Sequence, residues 1–151
     1  MMKGYDDYMT FCNVCLEILF DGIIPKIEGV CPKVDCNGVL VEVDEVIAPA
    51  ILLLYSKGYK CVEDSCSGHA HIPSSTLYIR FSEYSLIEDC PHGFELLYEG
   101  TSILIKKTIE STDILQRQVA IFEAILHLRE WAVNLDDYQW PLKRYPSVNI
   151  P

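Results

Sequence analysis

Four cysteines near the start of the chain, Cys12-x2-Cys15 and Cys31-x4-Cys36, constrain the fold more than any other feature. They form two close pairs with fifteen residues between them. Each short pair can turn both sulfurs toward one point, and the intervening stretch can run out and back as a hairpin. That is ligand spacing for one tetrahedral zinc ion in a ribbon or knuckle, the second pair lying at the upper edge of the usual range. Thiolates are soft ligands, and four of them fill a closed shell with no position left for a catalytic water. Reduced structural cysteines, or two disulfides, are the competing chemistry. Asn37-Gly38 supplies a turn directly after the second pair.

The chain has seven cysteines, an odd number, and its N-terminus lacks the apolar core of a signal peptide. Both point to a reducing cytoplasm, with thiols free or bound to metal. Val46 to Tyr55 is the longest apolar stretch and is too short to span a membrane. Net charge is -10, and no region is basic. Nucleic-acid binding is therefore not expected, because nothing would attract a phosphate backbone. Protein partnership or self-association is. Carboxylates presented at a partner's nucleic-acid site, as a mimic, are a special case of it.

The pattern predicts an α+β fold. A four-cysteine zinc ribbon over 1–43 joins a small antiparallel or mixed sheet covered by two helices over 44–137. An extended aromatic and proline-rich tail follows over 138–151. Asp44-Glu45 opens a helix whose face carries Ile47, Ala50, Ile51 and Leu54 and which stops at Gly58; Pro49 argues for regular geometry only from about Ala48. Strands are expected at 59–62, 76–81, 94–98 and 103–109, the last two as a hairpin, with a loop from Glu63 to Ser75. Thr112 caps a helix running to about Leu135. Leu115, Val119, Phe122, Leu126 and Val133 form one stripe on it, and Ile121, Ile125, Leu128 and Leu135 widen that stripe to half the circumference. Such a helix is either heavily buried or meets another chain. Arg129 falls inside the apolar arc and, with nearby Trp131, marks a candidate interface; a snorkelling arginine is the plainer alternative.

Cys61, Cys66, His69, His71, Cys90 and His92 make a second cluster. Three chemistries fit it. A second zinc site could draw on Cys61, Cys66, His69, His71 and Cys90. A catalytic or ligand-binding loop could use Cys66 and His69 as nucleophile and base on a small molecule or nucleotide. Buried thiols with solvated histidines are the third. His127 reads as ordinary helix surface.

Gly58-Tyr59-Lys60 followed by Cys66-Ser67-Gly68-His69 resembles a pattern in small bacterial and bacteriophage proteins of unassigned function. In those, a cysteine-rich, zinc-ribbon-like N-terminus precedes a helix, a GYK-type turn and a CSGH-type loop. The resemblance spans residues 8 to about 100 and implies the ribbon and helix order, with no activity attached. A non-enzymatic, zinc-binding adaptor, regulator or inhibitor acting through protein–protein interaction is the expected function. Phage inhibitors of host enzymes are one class with these traits. No Walker loop, dinucleotide fingerprint or metalloprotease motif is present.

Overall fold

The computed structural model describes residues 8–19, 29–59, 62–82 and 87–137. The fold is α+β, with two antiparallel sheets and two helices among these residues. Residues 20–28 of the expected hairpin between the cysteine pairs, Cys61 and the 138–151 tail lie outside them.

The first sheet has the order β2-β1-β3, from β1 (Tyr8–Cys12), β2 (Ile18–Leu19) and β3 (Leu40–Asp44). β1 is antiparallel to both neighbours, with Phe11 opposite Ile18 on one side and Val41 on the other. The second sheet has the order β4-β5-β7-β6, all antiparallel, from β4 (Val62–Ser67), β5 (Ser74–Phe81), β6 (Glu95–Glu99) and β7 (Ser102–Glu110). Period-two alternation sends Leu77, Ile79 and Phe81 of β5 into the core. Arg80, between them, faces outward and pairs with Asp64 and Glu99 at 3.2 and 2.8 Å.

Helices α1 (Ala48–Ser56) and α2 (Ile114–Asn134) complete a core shared by both sheets. Phe11 and Val43 of the first sheet belong to the same buried cluster as Ile51 and Leu54 of α1, Ile79 and Ile105 of the second sheet, and Leu128 of α2. The Phe11 ring meets Tyr55 edge-on, with centroids 5.2 Å apart. The cysteine-bearing sheet is thus tied directly to α1.

Asp44 is not a helix cap. It ends β3, and its carboxylate accepts from Ser67 N and Oγ at 2.8 and 2.9 Å. Pro49 decides this: it sits in the first turn of a helix beginning at Ala48, where its missing N–H forfeits nothing. The stop at Gly58 is as expected. Its φ is +95°, Tyr59 N donates to Leu54 O and Gly58 N donates to Tyr55 O, a Schellman closure with Tyr59 buried. Asp113, not Thr112, caps α2, accepting from Leu115 N at 2.9 Å while its own N–H donates to Ser111 Oγ. The strand expected at 59–62 is displaced: Tyr59 closes α1, and β4 runs from Val62 to Ser67, with Cys66 and Ser67 paired to Tyr78 and Leu77 of β5. A polar run becomes strand where a neighbour supplies the ladder.

In α2 the expected apolar arc divides into a buried part and an exposed part. Its buried face is Ala124, Ile125, Leu128 and Ala132, with Ile121, Trp131 and Leu135 partly covered. The stripe of Leu115, Val119, Phe122, Leu126 and Val133 faces outward.

Candidate metal centre and neighbouring side-chain clusters

The two cysteine pairs close on each other. Cys12 ends β1 and Cys15 lies in the following turn, where Leu16 adopts φ +62° and donates its N–H to Cys12 O. The second pair is organised by a Cys36 N to Lys33 O bond and by Asp35 at φ +65°. Cys31 N donates to Gly38 O, and Asn13 Oδ1 accepts from Val39 N at 2.9 Å, so each loop is stitched to the other. The four sulfurs lie within 4.8 Å of one another. Cys12 to Cys36 is 3.5 Å and Cys15 to Cys31 is 3.9 Å. Those separations are far longer than the roughly 2.05 Å of a disulfide bond. They match the edges of a tetrahedron with metal–sulfur bonds of about 2.3 Å, whose corners are about 3.8 Å apart. The group could hold a metal ion.

Backbone amides face the sulfurs. Val14 N points to Cys12 Sγ and Gly38 N to Cys36 Sγ, each at 3.4 Å. Burial opposes ionisation of Cys12, yet the N–H groups of Cys15 and Val14 and the thiols of Cys36 and Cys15 bring it down to about 7. At Cys31 the Lys33 N–H favours the thiolate. Burial and the sulfurs of Cys12, Cys36 and Cys15 outweigh it and hold that thiol at about 12. One proton leaves easily and later ones do not, because negative charge accumulates in a small volume. A cation at the centre removes that conflict. Gly38 packs against the same centre: a Cβ there would lie 2.1 Å from Cys12 Sγ.

The second cluster divides. Cys66 and His69 come together, with Sγ to Nε2 at 3.4 Å, and the His69 and His71 rings stack edge-on at 5.3 Å. The loop is fixed by Gly68 at φ +84°, by His69 N donating to Ser75 Oγ, and by buried Arg117, whose Nε donates to Ala70 O at 2.7 Å. Burial pushes the Cys66 thiol up, Gly68 N–H works against it, and Asp44 adds to the rise. His69 Nδ1 is buried without a hydrogen-bond partner among the described residues. Cys90 is not gathered with them. It donates to Phe94 O at 3.3 Å and borders a depression of about 270 Å³ beside α2.

His127 is the residue that sequence reasoning passed over. Its ring stands 5.0 Å from that of His92, edge-on, and the pair lies between that depression and a second of about 240 Å³ that also touches Lys107 and Glu123. The contact joins a helix to a distant loop, so no local spacing could announce it. Of the candidate interface residues, Arg129 is exposed, while Trp131 is half-buried and donates from Nε1 to Asp89 at 2.9 Å.

Along α2, Leu115 is 66% exposed, Val119 55%, Phe122 64%, Leu126 46% and Val133 57%. Ile114, at 44%, extends the strip at its N-terminal end. A shallow depression of about 310 Å³ runs beside Leu115, Val119 and Glu123. No described helix is long and apolar enough to cross a membrane. No family model, curated protein or solved structure matches the chain.

Proposed function

We propose that the chain is a zinc-held protein-interaction module of the cytoplasm: a non-enzymatic adaptor, regulator or inhibitor whose docking face is the outer side of α2. The observation that carries this reading is the apolar strip from Leu115 to Val133. A row of large apolar side chains left exposed along one helix face, broken at Arg129, marks an interaction site. The metal centre supports it from another side. Four thiolates around zinc leave no open coordination position, so the ion holds Cys12, Cys15, Cys31 and Cys36 together and does no chemistry. A reducing compartment keeps these thiols available to it.

Two variants test the reading, with zinc content followed by native mass measurement and elemental analysis. Wild-type protein should carry one zinc per chain and retain a protein partner that Leu126→Asp loses, with the far-ultraviolet spectrum unchanged. Identical retention by both proteins overturns the docking face. Protein isolated without chelator and free of metal overturns the zinc centre.

A second reading rests on one specific feature, the Cys66–His69 pair with its buried, unpartnered Nδ1. It makes the loop a small enzyme or ligand site, in which the imidazole accepts the thiol proton as a substrate arrives. Burial keeps that thiol neutral in the free protein, which weighs against it. The discriminating measurement is alkylation of Cys66, which should be slow under the first reading and fast under the second.

A further inference from the structure

The spacing of the exposed strip is narrower than a general apolar patch requires. From Leu115 the apolar positions step by four, three and four to Val119, Phe122 and Leu126, then by seven to Val133. That is a heptad seam, the repeat that lets one helix pack along another. The seam position skipped in the last step is Arg129, which is exposed. The buried face of α2 follows a different set of residues and is already filled by the core. The seam is therefore an independent surface of helix-pairing geometry.

We infer that the occupant of this seam is a second copy of the same chain, packed antiparallel along α2; the inference rests on the interaction reading above and names its partner. Arg129 sets the orientation. In a parallel pair the two guanidinium groups would meet across the seam, like charge against like. Reversed, Leu115 lies opposite Val133 of the second copy, Phe122 opposite Leu126, and Val119 opposite Arg129. The arginine stem then covers Val119, and its head comes beside Glu123 of the second copy, which flanks the seam and is exposed. The two Glu123 carboxylates that converge near the two-fold axis are each matched by an Arg129, so charge is complementary in this alignment. Among antiparallel registers it is the one that engages every seam position. Two such strips meeting would bury on the order of 600 Å² on each copy, the lower end for a specific interface.

Sedimentation velocity and light scattering on the 151-residue, zinc-loaded chain test this. A dimer is expected, with Phe122→Glu raising its dissociation constant by at least about tenfold, as for a central apolar anchor. Because Phe122 is exposed, the variant should keep its fold. Glu123→Arg and Arg129→Glu should each weaken the dimer, and the double variant should restore it. Failure of the double variant to recover overturns the antiparallel arrangement. A wild-type monomer at up to about 100 µM overturns self-pairing. If that monomer's strip binds an apolar dye and Phe122→Glu abolishes the binding, the protein-interaction reading survives without it. If neither protein binds the dye, both fall.

Discussion

At Gly38 a single hydrogen separates a formed centre from a blocked one. A Cβ would stand 2.1 Å from Cys12 Sγ, with Asn13 Oδ1 and Val14 Cβ at 3.2 Å, so no small shift relieves it. Gly38→Ala should lower the affinity of the four-cysteine group for the proposed zinc roughly 10- to 100-fold, as supporting-residue changes around metal ligands do; competition with a chromophoric chelator reads it. The thiols also fix a pH dependence. Cys31 held at about 12 keeps its proton at neutral pH unless a cation takes its place, while Cys12 at about 7 is already partly ionised. Protons and metal compete for the same lone pairs, so affinity falls as pH falls. Binding near neutral pH should release protons, a whole one from Cys31 and part of one from Cys12 among them, measurable by calorimetry in buffers of different ionisation enthalpy. Arg117 is the other residue on which much depends. It is buried, and its guanidinium donates to Ala70 O and Ser111 O. Arg117→Met leaves both carbonyls without that donor and should destabilise the fold by about 2 kcal/mol in urea denaturation. The sequence showed an arginine in the apolar arc at position 129, but the buried one is at 117. Which arginine is enclosed depends on where the β4–β5 loop and the α2 entry come to rest, and neither is a local property.

Element boundaries follow local chemistry where that chemistry is self-contained. The α1 stop is an example: Gly58 at φ +95° is adjacent to a tyrosine that folds back over Leu54. Gly58→Ala should cost about 1 kcal/mol, seen as a lowered melting temperature. Asp113→Ala, which removes the α2 cap, should cost about the same. The β6–β7 hairpin was readable for the same reason, since Gly100 and Thr101 form a tight connection between two runs rich in aliphatic and aromatic residues. β4 was not readable in full. Its polar residues Asp64, Ser65, Cys66 and Ser67 gain their extended geometry from pairing with β5, a partner separated by a loop.

At the scale of the whole molecule, the cysteine-bearing sheet is part of the main core and not an appendage. Phe11 is fully buried against Tyr55, one residue before the first thiol. Replacing Cys12 and Cys15 together by serine should therefore abolish metal binding and also loosen α1, which amide exchange across 8–56 would register. A loss of protection confined to the two loops would show that the sheet holds without its ion. The spacing of Cys12, Cys15, Cys31 and Cys36 determined the four-sulfur cluster, because ligand geometry is a short-range demand that the chain meets within each loop. Heptad steps on α2 were equally legible, being a property of one helix. Which side of that helix turned inward was decided only in three dimensions. The outward stripe carries the larger side chains, yet the core took Ala124, Ile125, Leu128 and Ala132. Small residues let α2 approach the sheet and the alanine-bearing α1 closely, and close packing over the whole contact outweighs the hydrophobicity of any one face.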